Sequence, residues 1–162
     1  MTQERFCYAS KVFMRVGEIA ALKIGDVRGL YGRAVEVIHL AKHQTKGNRS
    51  RRVFVGDELR RVLTNFLSNS QKLTDSGPLI ASSRTGKHMC TVTLSTRLKS
   101  IYRAAGIDTS SHAGRRTFAT RKNEIGIGMA TIQILMGHSS IQTTALYCHL
   151  SDEQLRSAAN AF

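Results

Sequence analysis

The chain has 162 residues, of which 41% are hydrophobic and 6% aromatic; this is enough for one domain with a real core and too apolar for a disordered segment. Lys and Arg number 24 against 11 Asp and Glu, a formal net charge of +13, which points to a polyanionic partner, nucleic acid ahead of an acidic membrane surface. No apolar run approaches a membrane span, the start "MTQERFCYASKVF" has no apolar core of a secretory signal, and Cys7, Cys90 and Cys148 lack zinc spacing and read as reduced thiols of a cytosolic protein.

In chain order, a helix is expected over roughly residues 3–13 and another through "GEIAAL", followed by a turn-rich exit in "KIGDVRGLYG". "RAVEVIHL" alternates and is β-branched, "RRVFV" is a second strand, and the polar "AKHQTKGNRS" between them, with Gly47 and Asn48 as turn residues, makes the pair a hairpin. Leu59, Val62, Leu63, Phe66 and Leu67 fall at i, i+3, i+4, i+7 and i+8, the stripe of an amphipathic helix. "NSQKLTDSGP" reads as loop, "LIAS" as a short third strand before a tight turn at Thr85 and Gly86, and Leu94, Leu98, Ile101 and Ala105 again keep helical spacing. From residue 112 onward the chain reads as short helices broken at Gly126–Gly128 and Gly137, and Ser151 with Gln154 forms a capping box for a last helix. The expected fold is α+β: a single, mostly helical domain over residues 1–162 with a small antiparallel sheet.

The basic charge is clustered. From Arg84 to Lys122 there are nine Lys or Arg residues and a single acid, Asp108, while the hairpin contributes Lys42, Lys46, Arg49, Arg51 and Arg52 with no acid. Any one of these lysines is most simply a solvated surface group; their sum suits a groove for a polyanion. "HAGRRTFAT" places His112 and Arg115 three residues apart on one helix face, with Arg116 pointing elsewhere. A guanidinium offers a fork to two phosphate oxygens and an imidazole moves a proton, although His-x-x-Arg alone is a weak signal. In "FMRVGEIAAL", Arg15 and Glu18 are either an ordinary i,i+3 surface pair or an arginine held in orientation by a carboxylate. His39 and His43 fall at a strand end, where i,i+4 spacing does not converge, and His88-x-Cys90 is too sparse for zinc, so no metal site is expected. "HSSIQTTALYCH" sets Tyr147 nine residues after His138 in an uncharged, hydroxyl-rich stretch.

Arg-x-x-Glu between two helices, a Lys in a hairpin turn, His-x-x-Arg, Gly-His and a Tyr nine residues later occur here in that order over residues 5–155. Together they make the chain resemble the catalytic domain of the tyrosine recombinases, the phage-integrase family. The resemblance implies that Tyr147 is a nucleophile that attacks a DNA phosphodiester and leaves a 3′-phosphotyrosine. It implies that Arg15 and Arg115 clamp the non-bridging oxygens, Lys46 protonates the departing 5′ oxygen, His112 assists proton transfer at the tyrosine, and His138 hydrogen-bonds the phosphate. Glu18 would stand behind Arg15, outside the groups that touch the phosphate. Lys42, Arg49, Arg51, Arg84, Lys87 and Arg116 are the expected further DNA contacts. No cofactor is implied, and the expected partners are double-stranded DNA and further copies of the chain, in a tetramer on DNA linked through residues 151–162. The expected setting is the cytoplasm, in a bacterial or phage-encoded system. Two positions depart from the family pattern: Phe13 stands where a glycine is usual, and Gly114 where an apolar residue is usual. The helical core-binding domain usual in the family has no room in these 162 residues, so the sequence is expected to be either an isolated catalytic domain or a naturally short or degenerate member. A type IB topoisomerase, which shares the chemistry, and a non-catalytic, recombinase-derived DNA-binding regulator are the alternatives.

Overall fold

The computed structural model describes residues 13–69, 73–107, 109–110, 112–146 and 152–160. The helix expected over residues 3–13 and the capping box at Ser151 fall outside these, as does Tyr147. In order, the described elements are α1 (Val16–Ala21), α2 (Ile24–Val27), β1 (Val37–Leu40), β2 (Arg51–Phe54), α3 (Asp57–Ser68), α4 (Thr91–Ala104), α5 (Ala113–Glu124), α6 (Met129–Met136), α7 (Ile141–Ala145) and α8 (Asp152–Ala159). Short 3-10 turns stand at Leu30–Gly32 and Lys42–Gln44. The fold is therefore α+β, mostly helical with, among the described residues, one two-stranded antiparallel sheet.

The hairpin pairs Val37 with Phe54, Ile38 with Val53, His39 with Arg52 and Leu40 with Arg51. Alternation sends Ile38, Leu40 and Val53 into the core and His39, Arg52 and Phe54 to the surface. β1 is shorter than the expected run because Ala34 bridges to Arg28 instead of continuing the ladder. Gln44 anchors the base of the hairpin connection: its side-chain amide donates to the Ala21 carbonyl and to Asp26, while its oxygen accepts from the Ala41 N–H.

Two local expectations are corrected. "KIGDV" is helical, not a bare turn, because the orphan amides at the start of α2 find distant partners: Ile24 N–H donates to the Gly77 carbonyl at 2.8 Å and Gly25 N–H to that of Asp75 at 2.9 Å. "LIAS" is not a strand. Its backbone is shared between two neighbours, Leu79 N–H donating to the Leu22 carbonyl and the Ile80 carbonyl accepting from Met89, so it makes only isolated bridges. The tight turn expected at Thr85–Gly86 is present, with Gly86 at φ +67°.

α3 keeps the sequence stripe, burying Leu67 and packing Leu59, Leu63 and Phe66 on the core, with Asp57 and Glu58 at its positive end. α4 buries Leu94 and Leu98 and packs on α1. α5 buries Arg115, Ala119 and Asn123, an i, i+4, i+8 line, and packs on α6, which packs in turn on α7. That stacking brings the ends of α1, α5 and α6 to one place.

Candidate active site

α6 ends at Gly137, which is left-handed at φ +63°, ψ +42°. The last carbonyls of a helix have no partner within it and carry the negative end of its dipole. Here three arginines from three separate elements take three successive carbonyls. Arg51 Nη1 donates to that of Leu135 at 3.3 Å, Arg115 Nη2 to that of Met136 at 2.8 Å, and Arg15 Nη2 to that of Gly137 at 3.0 Å.

Arg115 is 8% exposed, the most enclosed catalytic candidate among the described residues, on the buried face of α5. Its Nη1 also donates to the Phe13 carbonyl, and its Nη2 lies 3.1 Å from His138 Nε2. The departure at Phe13 has a packing reason: its ring lies 4.4 Å from that of Phe118, one turn beyond Arg115, so the segment ahead of Arg15 is tied to α5 by both a ring contact and a carbonyl.

Glu18 joins Arg15 to Arg51. It is 1% exposed and accepts from the Arg15 N–H at 2.7 Å, Arg15 Nη1 at 3.2 Å, Arg51 Nε at 3.2 Å and Arg51 Nη2 at 2.7 Å. Burial alone would push its carboxyl up; the hydrogen bonds and charges of Arg51 and Arg15 outweigh that and hold it below its ordinary value.

His138 follows directly. An arginine can only donate, so Nε2 accepts from Arg115, and the proton is assigned to Nδ1, 2.9 Å from Thr144 Oγ1. Thr144, 0% exposed on α7, takes that proton, and it is the donor-only Arg115 at Nε2 that sets the tautomer. Burial, then the charges of Arg115, Arg15 and Arg51, push the imidazole from 6.5 down to about 4, so it is neutral at pH 7.

The structure thus brings Arg15, Glu18, Arg115 and His138 together. Lys46 is exposed in the hairpin connection, and His112 is exposed at the start of α5, one turn before Arg115. Lys42, Arg49, Arg84, Lys87 and Arg116 are exposed, as a surface for a polyanion requires. Arg51, grouped with them on charge, is instead turned inward, its side chain 13% exposed. Two participants had escaped the sequence reading: the Thr144 partner of His138 and the Arg51 end of the Glu18 bridge. Thr144 carried a signal, since a hydroxyl in an uncharged stretch is a candidate for burial against a polar group. Among the described residues no group of three or more His, Cys, Asp or Glu could hold a metal ion, and no described helix is long and apolar enough to cross a membrane.

The His138 shift has a measurable sign. The unfolded imidazole takes its proton near 6.5 and the folded one near 4, so between those values the unfolded state holds more protons and stability falls as pH falls. Glu18, held below 4.5, adds a second loss as pH drops through the carboxylate range. Thermal melts across pH 7 to 4 are expected to show the first loss in the wild type and a shallower one in His138→Gln. Equal slopes would place the upper transition on another group.

A model of the phage integrase family matches residues 4–154. The chain is 32% identical over 149 residues to the tyrosine recombinase XerD of Yersinia pestis, covering 88% of this chain and 48% of that protein. It is 32% identical over 148 residues to the tyrosine recombinase XerA of Pyrococcus furiosus, covering 90% and 49%; it therefore spans about half the length of these curated relatives. A crystal structure of XerA recombinase superposes with a TM-score of 0.76 at 28% identity, over 98% of this chain and 56% of that one. The XerH site-specific recombinase, solved in a post-cleavage complex with a palindromic difH substrate, shares the fold at a TM-score of 0.66 and 21% identity, over 98% of this chain and 46% of that one.

Proposed function

Because the chain belongs to the phage integrase family, we propose that it is the catalytic domain of a site-specific DNA recombinase that cuts and rejoins DNA through a 3′-phosphotyrosine. The observation that carries this reading is the meeting of Arg15 and Arg115 beside a neutral His138. Two guanidiniums held in place by carbonyls suit the charge that builds on a phosphate under attack, where each preorganised donor contributes roughly 10²–10³ in rate.

In this scheme the Tyr147 oxygen attacks phosphorus and its proton leaves with the help of His112. The bond from phosphorus to the 5′ oxygen breaks, and Lys46 gives that oxygen its proton. Arg15 and Arg115 hold the non-bridging oxygens; with Arg115 turned from Nε2 to the phosphate, the neutral His138 carries its proton on Nε2 and donates it to one of them, while Thr144 Oγ1 donates to Nδ1. Glu18 keeps Arg15 aimed. The phosphotyrosine conserves the energy of the phosphodiester, so attack by a 5′-hydroxyl rejoins the strand without ATP, and the charge stabilisation comes from guanidinium groups, so the scheme calls for no metal. Lys42, Arg49, Arg84, Lys87 and Arg116 bind the backbone of double-stranded DNA. Residues 151–162 link copies of the chain into a tetramer on DNA, in the cytoplasm of a bacterial or phage-encoded system.

The test is covalent capture. A pool of randomised duplexes, each nicked so that the cleaved fragment diffuses away, is incubated with the chain and resolved under denaturing conditions. A denaturant-resistant protein–DNA adduct is expected, and sequencing the trapped DNA would give the site. DNA binding without any adduct would make the chain a regulator.

A further inference from the structure

Arg51 was grouped with the DNA contacts on charge, yet its surroundings assign it other work. It opens β2 opposite Leu40 and shares the inward face of the strand with Val53, which is fully buried. Its guanidinium meets Glu18 side-on through two bonds, Nε to Oε1 at 3.2 Å and Nη2 to Oε2 at 2.7 Å, the planar fork that a lysine cannot reproduce. Its third group reaches the Leu135 carbonyl at 3.3 Å. The shaft of the side chain lies against Gly137: a Cβ there would stand 2.8 Å from Arg51 Cδ, 2.9 Å from Nε and 3.1 Å from Cζ. The residue between α6 and His138 is therefore a glycine on two counts, its left-handed backbone and the room that Arg51 fills.

We propose that Arg51 is a positioning residue of the phosphate site and not a DNA contact: it locks the Glu18 carboxylate and the end of α6, and through them sets the aim of Arg15 and His138. The route is short. Glu18 holds Arg15 by side chain and backbone, and the Gly137 carbonyl that receives Arg15 belongs to the residue Arg51 packs on. Because Arg51 sits on the strand that leaves the Lys46 connection, the same contacts tie the hairpin to the arginine pair. The charge of Arg51 also bears on the imidazole, adding to those of Arg115 and Arg15. This proposal rests on the reading of the site as a phosphate clamp.

Three readouts on Arg51→Lys and Arg51→Met test it. The first is affinity for a random duplex against salt. A group that touches a phosphate contributes about 0.9 to the log–log slope, so Arg49→Met should lower the slope by about that amount while both Arg51 variants keep the wild-type value. The second is the single-turnover rate of adduct formation at saturating DNA, expected to fall about 100-fold in both, as for a slightly misplaced reacting group. The third is the His138 titration followed by its ring-proton NMR signal. Its midpoint should rise in Arg51→Met, which removes the charge, and stay low in Arg51→Lys, which keeps it; a purely structural role would not separate the two. If Arg51→Met does not fold, the Arg51→Met/Glu18→Gln double variant removes the charge together with its partner and takes its place. A reduced salt slope, or wild-type adduct rates, would overturn the proposal. Should the wild type form no adduct, the recombinase reading fails, and the salt slope and the His138 midpoint still decide the role of Arg51.

Discussion

Replacing Tyr147 by phenylalanine is expected to bring covalent capture of DNA below detection while leaving the melting temperature and the affinity for DNA unchanged. The substitution removes one oxygen and keeps the ring, so on the proposed reading it removes the nucleophile and little else. A tyrosine hydroxyl ionises at about 10 when unperturbed, so it needs nearby cations to become reactive at neutral pH. On the proposed reading Arg15 and Arg115 are those cations. Thr144, buried and bonded to His138, stands three residues before Tyr147, and three residues of chain span at most about 11 Å. Cys148 is adjacent in sequence and is itself a possible nucleophile, so the control is the Tyr147→Phe/Cys148→Ser double variant. Adduct in the single variant that vanishes in the double one would move the nucleophile by one residue. Adduct in both would remove the tyrosine assignment altogether.

The elements that the sequence made legible are those whose signal is local. The stripe from Leu59 to Leu67 recurs as the buried face of α3, and the alternation in "VIHL" and "RRVF" recurs as the hairpin. Gly137 ended a helix as expected because a left-handed residue stops α6. What failed had distant causes: α2 depends on carbonyls at Asp75 and Gly77, and "LIAS" divides its backbone between Leu22 and Met89. At the site, the order of the motifs identified Arg15, Arg115 and His138 together through resemblance, but no spacing argument joins residue 15 to residue 137. That contact needs α1, α5 and α6 to stack. Arg51 shows the reverse case. Its strand periodicity, shared with Val53, already placed it on the inward face, and net charge was the wrong guide to where it points.

Arg115→Lys is expected to lower the adduct rate by about 10²–10³-fold and to reduce stability as well. The charge is kept, so attraction to DNA at long range should survive. What is lost is reach and shape. Arg115 serves the Phe13 carbonyl, the Met136 carbonyl and His138 Nε2 from one planar group, whereas an ammonium is a point charge on a flexible stem. At least one of these buried acceptors is then left without its donor, at a cost of about 1–3 kcal/mol. The catalytic loss follows from the same geometry, because those acceptors fix where the guanidinium stands. Arg15→Lys is the comparison that separates the two effects. The Arg15 side chain is 33% exposed, and its Glu18 partner keeps a second cation in Arg51, so stability should fall less while the adduct rate still drops. Thermal melts and single-turnover capture at saturating DNA, run on both variants, measure the two quantities. A wild-type rate in Arg115→Lys would mean that positive charge alone suffices, and that the three-way hold on the guanidinium serves the fold and not the phosphate.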